Sequence, residues 1–358
     1  MANEPRLFAP TTIGSLSLRN AVVMAPMTRC RADREGVQPP IAVTYYRQRA
    51  SAGLIITEGT QCSYQGQGYC RTPGMHTVEQ VKAWRAITHA VHEAGGLIAL
   101  QIMHVGRIGH PLNQLHPAGF VAPSAVAAAG EMYTDQEGFQ PKATPEALTE
   151  EGIAGIVEEH RRSTELAFEA GFDGVELHGA NGYLGQQFLS SNANLRTDGY
   201  GGSPEGRSRY IIEVLKAMSS VDGAGRIGVR LSPGGNYNDI VEDDPASLYA
   251  ALFAGLHGMG LGWVHLQNTG WPQETLYDQI DAALIITGGY DSADKAEETL
   301  TSTPAAAIGF GQYFVANPDL PYRLRNRLPL QEANTDAYFT PGPEGYIDYP
   351  TWDERQER

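Results

Sequence analysis

Cysteine is scarce in this chain: only Cys30, Cys62 and Cys70 occur among its 358 residues, and no two of them form a CxxC pair. An odd number of isolated cysteines supports neither a disulfide framework nor a zinc or iron–sulfur site. We therefore predict three reduced thiols and no metal ion.

Positive charge and long apolar runs are also lacking. The chain has 26 Lys and Arg against 41 Asp and Glu, a net charge of -15. Nucleic acids and anionic membrane surfaces need clustered cations, so both are excluded as partners. No stretch approaches the roughly 20 apolar residues that span a bilayer, and the opening MANEPRLFAP lacks the pattern of a signal peptide. We expect a cytoplasmic protein that binds neither membrane nor nucleic acid.

Short β-rich runs alternate with helical periodicity along the chain, and 42% of the residues are hydrophobic, enough for a large core. The predicted strands are residues 22–25, 54–57, 97–103, 174–177, 227–231, 263–267, 284–287 and 305–309. Helical patterns separate most of them, at 78–94, 150–170, 207–219 and 245–256. This alternation predicts the α/β class, a (β/α)8 TIM barrel formed as one domain by residues 1–358. Either a monomer or a homodimer is compatible with it.

Four segments depart from an ideal barrel. Residues 104–149, after the third strand, show no convincing helix and predict a lid or hairpin subdomain over the pocket, or else a variable surface excursion. Residues 268–283 leave room for only one or two helical turns between strands six and seven. We expect residues 6–20 to form a hairpin that closes the barrel bottom. The tail, 331–358, is expected to pack near the mouth, with Tyr346 reaching the pocket.

Three chemically active side chains follow the fourth predicted strand. His178 and Asn181 are three residues apart, so both can donate to one carbonyl oxygen. Tyr183 is a weak acid that can protonate a strongly basic enolate carbon. A lone His or Tyr is more often structural, but the ends of barrel strands are where ligands bind. The trio therefore predicts an enzyme that polarises an enone, with these three as catalytic residues.

Two polar residues interrupt apolar strands and predict a ligand in the barrel mouth. Gln101 lies in IALQIMH and Arg230 in IGVRLSP, and buried polar groups need partners. An amide and a guanidinium suit the carbonyl and nitrogen edge of a heteroaromatic ring. The alternative is an internal ion pair of Arg230 with Glu58 or Glu176.

Glycines follow the last two strands, where barrels often build phosphate sites from backbone N–H groups. Gly288 and Gly289 come after strand seven, and Gly311 with Gln312 after strand eight. Glycines at such positions are as often simple tight turns, so both interpretations stay open.

Seven ordered motifs together resemble the Old Yellow Enzyme family, from about Leu7 to Trp352. They are VVMAPMTRCRA, YYRQRASAGLIITEGT, QIMHVGR, ELHGANGYL, RTDGYGGSPEGR, FVANPDL and GYIDYP. The resemblance implies a non-covalently bound FMN and a hydride donor, NADPH or NADH. It also implies small-molecule activated alkenes as substrates, with nitro compounds or nitrate esters as further candidates.

The resemblance also implies roles for individual residues. Around the flavin ring it places Pro26, Thr28, Gly59, Gln101 and Arg230; at the FMN phosphate Gly288, Gly289, Gly311 and Gln312; and on the substrate side Tyr69, Met103 and Tyr346. In this scheme His178 and Asn181 bind the substrate carbonyl and Tyr183 is the proton donor. Thr28 implies the branch that lacks a cysteine beside the flavin.

Departures from the family pattern predict differences in function. Gln312 stands where the family usually has an arginine, so we expect weaker FMN binding. Met103 replaces a bulkier tryptophan of many relatives and predicts a roomier substrate site. The short segment after strand six is expected to reshape one rim of the pocket.

Two other functions stay open. The first is an FMN-binding barrel with little turnover that serves as a sensor or scaffold. The second is a non-redox barrel enzyme such as an aldolase, although no predicted strand ends in the lysine that a Schiff base requires.

Overall fold

A closed barrel of eight parallel strands forms the centre of the computed structural model, which describes residues 4–356. The first three and last two residues of the predicted 1–358 domain lie outside the described part. The barrel strands, in order, are Val22–Met24, Leu54–Ile56, Ile98–Met103, Gly174–His178, Ile227–Leu231, Trp263–Gln267, Ala283–Thr287 and Ala305–Phe310. The eighth strand pairs with the first, and each other strand pairs with the next, which closes the sheet. The predicted TIM barrel is confirmed.

Helices lie between successive strands and after the eighth strand, and they cover the outside of the barrel. They are Ile41–Arg47, Val78–Glu93, Glu150–Glu169, Leu184–Leu189, Pro204–Asp222, Pro245–Leu256, Ala293–Ser302, Gln312–Ala316 and Leu320–Arg325. Between strands six and seven a short 3-10 helix, Gln273–Gln279, replaces a full α-helix, as the spacing predicted. Within residues 4–356 no helix has the length and apolar character needed to cross a membrane.

The main covering helices begin at residues whose side chains accept backbone N–H groups. Thr77 and Gln80 form a reciprocal capping box, and Thr149, Ser203 and Asp244 each accept from the first turn of their helix. Such caps satisfy N–H groups that have no partner within the helix. The starts of these four helices are therefore specified locally.

An antiparallel hairpin lies against the bottom of the barrel. Its strands are Thr11–Ile13 and Leu16–Leu18. In the turn between them, Ser15 donates its backbone N–H to the carbonyl of Gly225, which precedes the fifth barrel strand, at 2.8 Å. Ile13 is fully buried. The predicted hairpin is present at the end of the barrel opposite the strands' carboxyl ends.

The insertion at residues 104–149 contains a second hairpin, formed by Glu131–Thr134 and Gly138–Pro141. Its buried Phe120 and Met132 belong to an apolar cluster that includes Met103 and Tyr183. The insertion therefore packs directly against pocket residues instead of forming an independent surface excursion.

Two arginines join the C-terminal tail to the loop after the first strand. Arg29 donates to the carbonyl of Gly345 at 2.7 Å, and Arg31 donates to the carbonyls of Ala337 and Glu344 at 2.9 and 2.8 Å. All these acceptors are backbone atoms, so the clamp fixes the course of the tail largely independently of its side chains. These bonds hold residues 337–345 of the tail against the loop after the first strand.

Candidate active site

One cavity of about 310 Å³ opens at the carboxyl ends of the barrel strands. Ten of the residues singled out from the sequence line it. They are Pro26, Thr28, Gly59, Gln101, Met103, His178, Asn181, Tyr183, Arg230 and Gln312. They come from at least five different strands and their following loops, because parallel strands bring their carboxyl ends to one face. Sequence positions more than 280 residues apart thus meet in one pocket.

His178 presents a neutral imidazole to this cavity. Burial, with the nearby positive charge of Arg230, holds the pKa of His178 well below its usual value. Its Nδ1 accepts the backbone N–H of Ala180 at 3.3 Å. A neutral imidazole that accepts at Nδ1 carries its proton on Nε2. His178 can therefore donate Nε2–H to a ligand, and Asn181 adds an amide donor from the same strand end.

Tyr183 lies beside His178 as a protonated phenol. Its ring meets the imidazole edge to face, with centroids 4.8 Å apart. Burial raises the pKa of Tyr183 well above 10, so the hydroxyl keeps its proton at neutral pH. The hydroxyl of Tyr69 lies 2.9 Å from that of Tyr183, and burial raises the pKa of Tyr69 to about 12. Tyr183, which lines the cavity, thus forms a hydrogen-bonded pair with Tyr69, which lies behind it and does not line the cavity.

Gln101 is oriented by a polar layer inside the barrel. Its Nε2 donates to Oε1 of the fully buried Glu176 at 2.8 Å. Oε2 of the same carboxylate accepts from Trp263 Nε1 at 2.8 Å and lies 3.0 Å from His265 Nδ1. Because the amide nitrogen is held by Glu176, Gln101 keeps its oxygen available to accept a ligand N–H.

Arg230 forms no ion pair with another residue of the 4–356 range. Its Nη2 donates to Gln267 Oε1 at 2.5 Å, and its buried Nε has no partner. Glu176 is bound as described above, and Glu58 accepts from Gln38 and from a backbone N–H. The alternative of an internal Arg230 ion pair is therefore wrong.

These polar groups fit the edge of a flavin. An unsatisfied buried N–H is costly, so Arg230 Nε is expected to meet an acceptor in the complete site. Together with the free amide oxygen of Gln101, it offers one donor and one acceptor, which suits a ring edge of alternating carbonyls and N–H groups. Both groups line the same cavity.

The glycines after strands seven and eight lie at the same end of the barrel. Gly288 and Gly289 have φ values of +115° and +82°, a region that other residues rarely adopt. The ammonium of Lys295 donates to the carbonyl of Gly289. Gly311 follows the eighth strand, which ends at Phe310, and the next residue, Gln312, lines the cavity. Backbone N–H groups and one lysine are thus available near an expected phosphate.

Comparison with known proteins identifies the family. The model of the NADH:flavin oxidoreductase / NADH oxidase family matches residues 6–331. The chain belongs to this family. One relative is a probable flavin mononucleotide-dependent alkene reductase from Leishmania infantum, 37% identical, with 96% of this chain and 97% of that protein covered.

Solved structures resemble this flavin oxidoreductase along its whole length. Morphinone reductase in complex with tetrahydroNAD superposes with a TM-score of 0.95 at 41% identity, covering 99% of this chain and 100% of that one. The old yellow enzyme homologue from Zymomonas mobilis gives a TM-score of 0.93 at 36% identity, covering 97% and 99%. The Old Yellow Enzyme resemblance is confirmed, and with it FMN and a reduced nicotinamide as cofactors.

Tyr346 requires a correction. It was expected to line the substrate side, but its side chain is fully buried and does not line the cavity. Its ring stacks on Tyr45 with centroids 4.1 Å apart, and the guanidinium of Arg31 lies 4.6 Å from its centroid. The Tyr346 side chain is thus held between the ring of Tyr45 and the guanidinium of Arg31, away from the pocket of this flavin oxidoreductase.

Other tail aromatics take the expected place, and the sequence did not single them out. Tyr338 and Phe339 line the cavity, together with Arg29 from the VVMAPMTRCRA motif. Tyr237 also lines it, and a neighbouring cavity of about 430 Å³ shares Tyr237 and Asn181. Arg29 was detectable, because it follows Thr28 directly. Tyr237 carries no periodic or motif signal that separates it from an ordinary exposed loop residue.

Proposed function

We propose that this flavin oxidoreductase is an ene-reductase, which uses NAD(P)H to reduce the activated C=C bond of α,β-unsaturated carbonyl compounds. The observation that carries the proposal is the convergence of His178, Asn181 and Tyr183 on one cavity. Two of these offer donors for an oxygen, and the third offers a proton. The alkene reductase and morphinone reductase among its relatives support the same reaction class.

When bound, FMN would supply hydride transfer from the reduced nicotinamide to the β-carbon of the alkene. We assign its ring edge to Gln101 and Arg230, whose free acceptor and donor suit that edge. Pro26, Thr28 and Gly59 are assigned to the ring surroundings, since all three line the cavity. Gly288, Gly289, Gly311 and Gln312 are assigned to the phosphate.

His178 and Asn181 are assigned to the substrate carbonyl. Negative charge grows on this oxygen as the β-carbon is reduced, and donors that are already oriented stabilise it without reorganising. A neutral His178 suits the role, since its Nε2–H donates without adding a charge that water would compete to solvate. Loss of one such donor typically costs about 3 kcal/mol of transition-state stabilisation.

Tyr183 is assigned to protonation of the α-carbon. Its raised pKa means that the phenol is protonated when the enolate forms. Tyr69 does not line the cavity but contacts the hydroxyl of Tyr183, which does, and Met103 is assigned to the substrate wall. Reduction of nitro compounds or nitrate esters, the Thr28 branch, a cytoplasmic location and the choice between monomer and homodimer stay predictions from the sequence.

Two half-reactions test the proposal. The visible spectrum of the purified holoenzyme is recorded anaerobically, NADPH or NADH is added, and 2-cyclohexenone follows. We expect the flavin band to bleach with the nicotinamide and to return with the enone. A flavin that is reduced but not reoxidised by the enone would instead support a scaffold with little turnover. Absence of any flavin band after added FMN would revive a non-redox barrel.

A further inference from the structure

The backbone of Asn181 has a conformation that its neighbours must hold. Its φ is +55°, and Gly182 follows with φ of +77°. Among residues with a Cβ, asparagine tolerates this left-handed region best, and at Asn181 three hydrogen bonds to the turn hold it there. Asn181 N–H donates to Ser232 Oγ at 2.9 Å, and its carbonyl accepts from Asn238 Nδ2 at 2.9 Å. Gly182 N–H donates to Gln186 Oε1 at 2.8 Å.

The amide of Gln186 connects these bonds. Its oxygen accepts from Gly182 and from the hydroxyl of Ser232, the latter at 2.9 Å. Its nitrogen donates to the carbonyl of Ser232 at 3.1 Å and to Oε1 of Glu242 at 2.9 Å. If the amide turned over, its N–H groups would face the N–H of Gly182, which can only donate, and its oxygen would face the Ser232 carbonyl and the Glu242 carboxylate, which only accept. One orientation of Gln186 therefore supports Asn181, and the other does not.

Glu242 selects that orientation. Its carboxylate accepts from Gln186, from the backbone N–H of Gly234 at 2.8 Å and from the hydroxyl of Tyr249 at 2.9 Å. An ionised carboxylate is acceptor only, so it favours the nitrogen of the Gln186 amide over the oxygen. Glu242 does not line either cavity that contains Asn181, and it reaches Asn181 only through other residues.

We propose that Glu242 is a positioning residue for Asn181. Through Gln186 and Ser232 it fixes the left-handed turn at Asn181, and hence the direction in which Asn181 offers its amide to the substrate carbonyl. The inference rests on the proposed function, because carbonyl binding by Asn181 is part of it.

The test compares two holoenzyme variants that each remove one negative charge. Glu242→Gln keeps the shape of the side chain but can present an amide nitrogen to Gln186. Asp243→Asn is the control, since Asp243 is exposed and adjacent in the chain. The measurements are kcat/KM for 2-cyclohexenone and the Kd of cyclohexanone, read from the change in the flavin spectrum. We expect Glu242→Gln to lower kcat/KM and to raise the Kd of cyclohexanone, each about tenfold, which is the scale of one misdirected hydrogen bond. Asp243→Asn is expected to leave both values unchanged.

A double-mutant cycle separates positioning from general damage. In an Asn181→Ala background, Glu242→Gln is expected to have no further effect on cyclohexanone affinity, because the residue it positions is absent. Equal losses in both backgrounds would overturn the proposal. The rate at which oxygen reoxidises the reduced flavin is expected to stay unchanged, since that reaction needs no carbonyl donor.

The behaviour of the wild-type enzyme distinguishes failure of this inference from failure of the proposed function. If the wild type reduces 2-cyclohexenone and Glu242→Gln does so equally well, only the positioning role is overturned. If the wild-type holoenzyme neither binds cyclohexanone nor turns over the enone, both are overturned. Should Glu242→Gln not fold, Ser232→Ala removes the hydroxyl that joins Gln186 to the N–H of Asn181, and unchanged ketone affinity in that variant would also overturn the proposal.

Discussion

Replacing Tyr183 with phenylalanine separates proton transfer from every other step. The substitution removes one hydroxyl and keeps the ring that meets His178 at 4.8 Å. Tyr183 is 7% exposed, so the ring's packing is retained in the variant. The cavity, the FMN contacts and the carbonyl donors should therefore be preserved, and the loss should be confined to protonation of the α-carbon.

The magnitude follows from the role of the phenol as general acid. Positioned proton transfer typically contributes about 10²- to 10⁴-fold in rate. The hydroxyl of Tyr69 lies 2.9 Å from that of Tyr183, close enough to supply a substitute proton directly or through water. We therefore expect the lower end, about 10²-fold, which corresponds to about 2.7 kcal/mol of barrier. Removing both hydroxyls, in Tyr69→Phe/Tyr183→Phe, is expected to increase the loss.

Anaerobic stopped-flow absorbance measures the two half-reactions separately. In Tyr183→Phe, flavin reduction by the nicotinamide is expected to keep its rate, because no substrate carbon is protonated in that step. Reoxidation by 2-cyclohexenone is expected to slow. A matched control is the Tyr69→Phe variant, which loses a hydroxyl from the same pair. An unchanged rate of enone reduction in Tyr183→Phe, or an equal loss in both half-reactions, would refute the assignment of the proton donor.

Three further predictions concern the cofactor, the pocket and acid stability. Gln312→Arg is expected to lower the Kd of FMN by roughly fivefold, since a charge-assisted hydrogen bond exceeds a neutral one by about 1 kcal/mol; equal affinity in a fluorescence titration would contradict this. Met103→Trp is expected to reduce kcat/KM for bulky ring-substituted enones more than for 2-cyclohexenone, and equal effects on both would refute a roomier site. Burial lowers the pKa of His104 to about 3 and that of His160 to about 4, so below pH 6.5 the folded chain binds fewer protons than the unfolded chain. The free energy of unfolding should therefore decrease as the pH is lowered from 6.5 to 4, by up to about 1.4 kcal/mol per pH unit for each histidine. In urea unfolding, the free energy of unfolding of His160→Gln should decrease less steeply over this pH range than that of the wild type.

Local signals accounted for most of the barrel. Each strand is a short apolar run and the four longest covering helices begin at a cap such as Thr77 or Asp244, and both features belong to the chain segment itself. The truncated helix between strands six and seven was equally visible, because sixteen or so residues hold little more than two helical turns beside their loops. The hairpin within 104–149 was one of two interpretations, and its packing against Tyr183 decided between them.

The pocket was predictable where strand ends supplied it, and less so where loops and the tail did. His178, Gln101 and Arg230 could be placed because alternation along a strand fixes which side chains face inward. The prediction for Tyr346 was wrong because its ring packs against Tyr45 and two arginines. These contacts join residues far apart in the chain, so a sequence pattern does not show them.

By itself, the sequence determined the number and order of the βα units, the residues at the strand ends and, by resemblance, the family. The strands and helices depend on hydrophobic period and capping, which act over a few residues, and the family resemblance depends on motifs that can be read directly along the chain. Only the tertiary structure decided that Arg230 binds Gln267 instead of a carboxylate, and that Glu242 reaches Asn181 through Gln186. A buried polar group bonds to the donors and acceptors that the folded chain brings within about 3 Å of it. These partners can come from any part of the sequence, so a local pattern does not predict them.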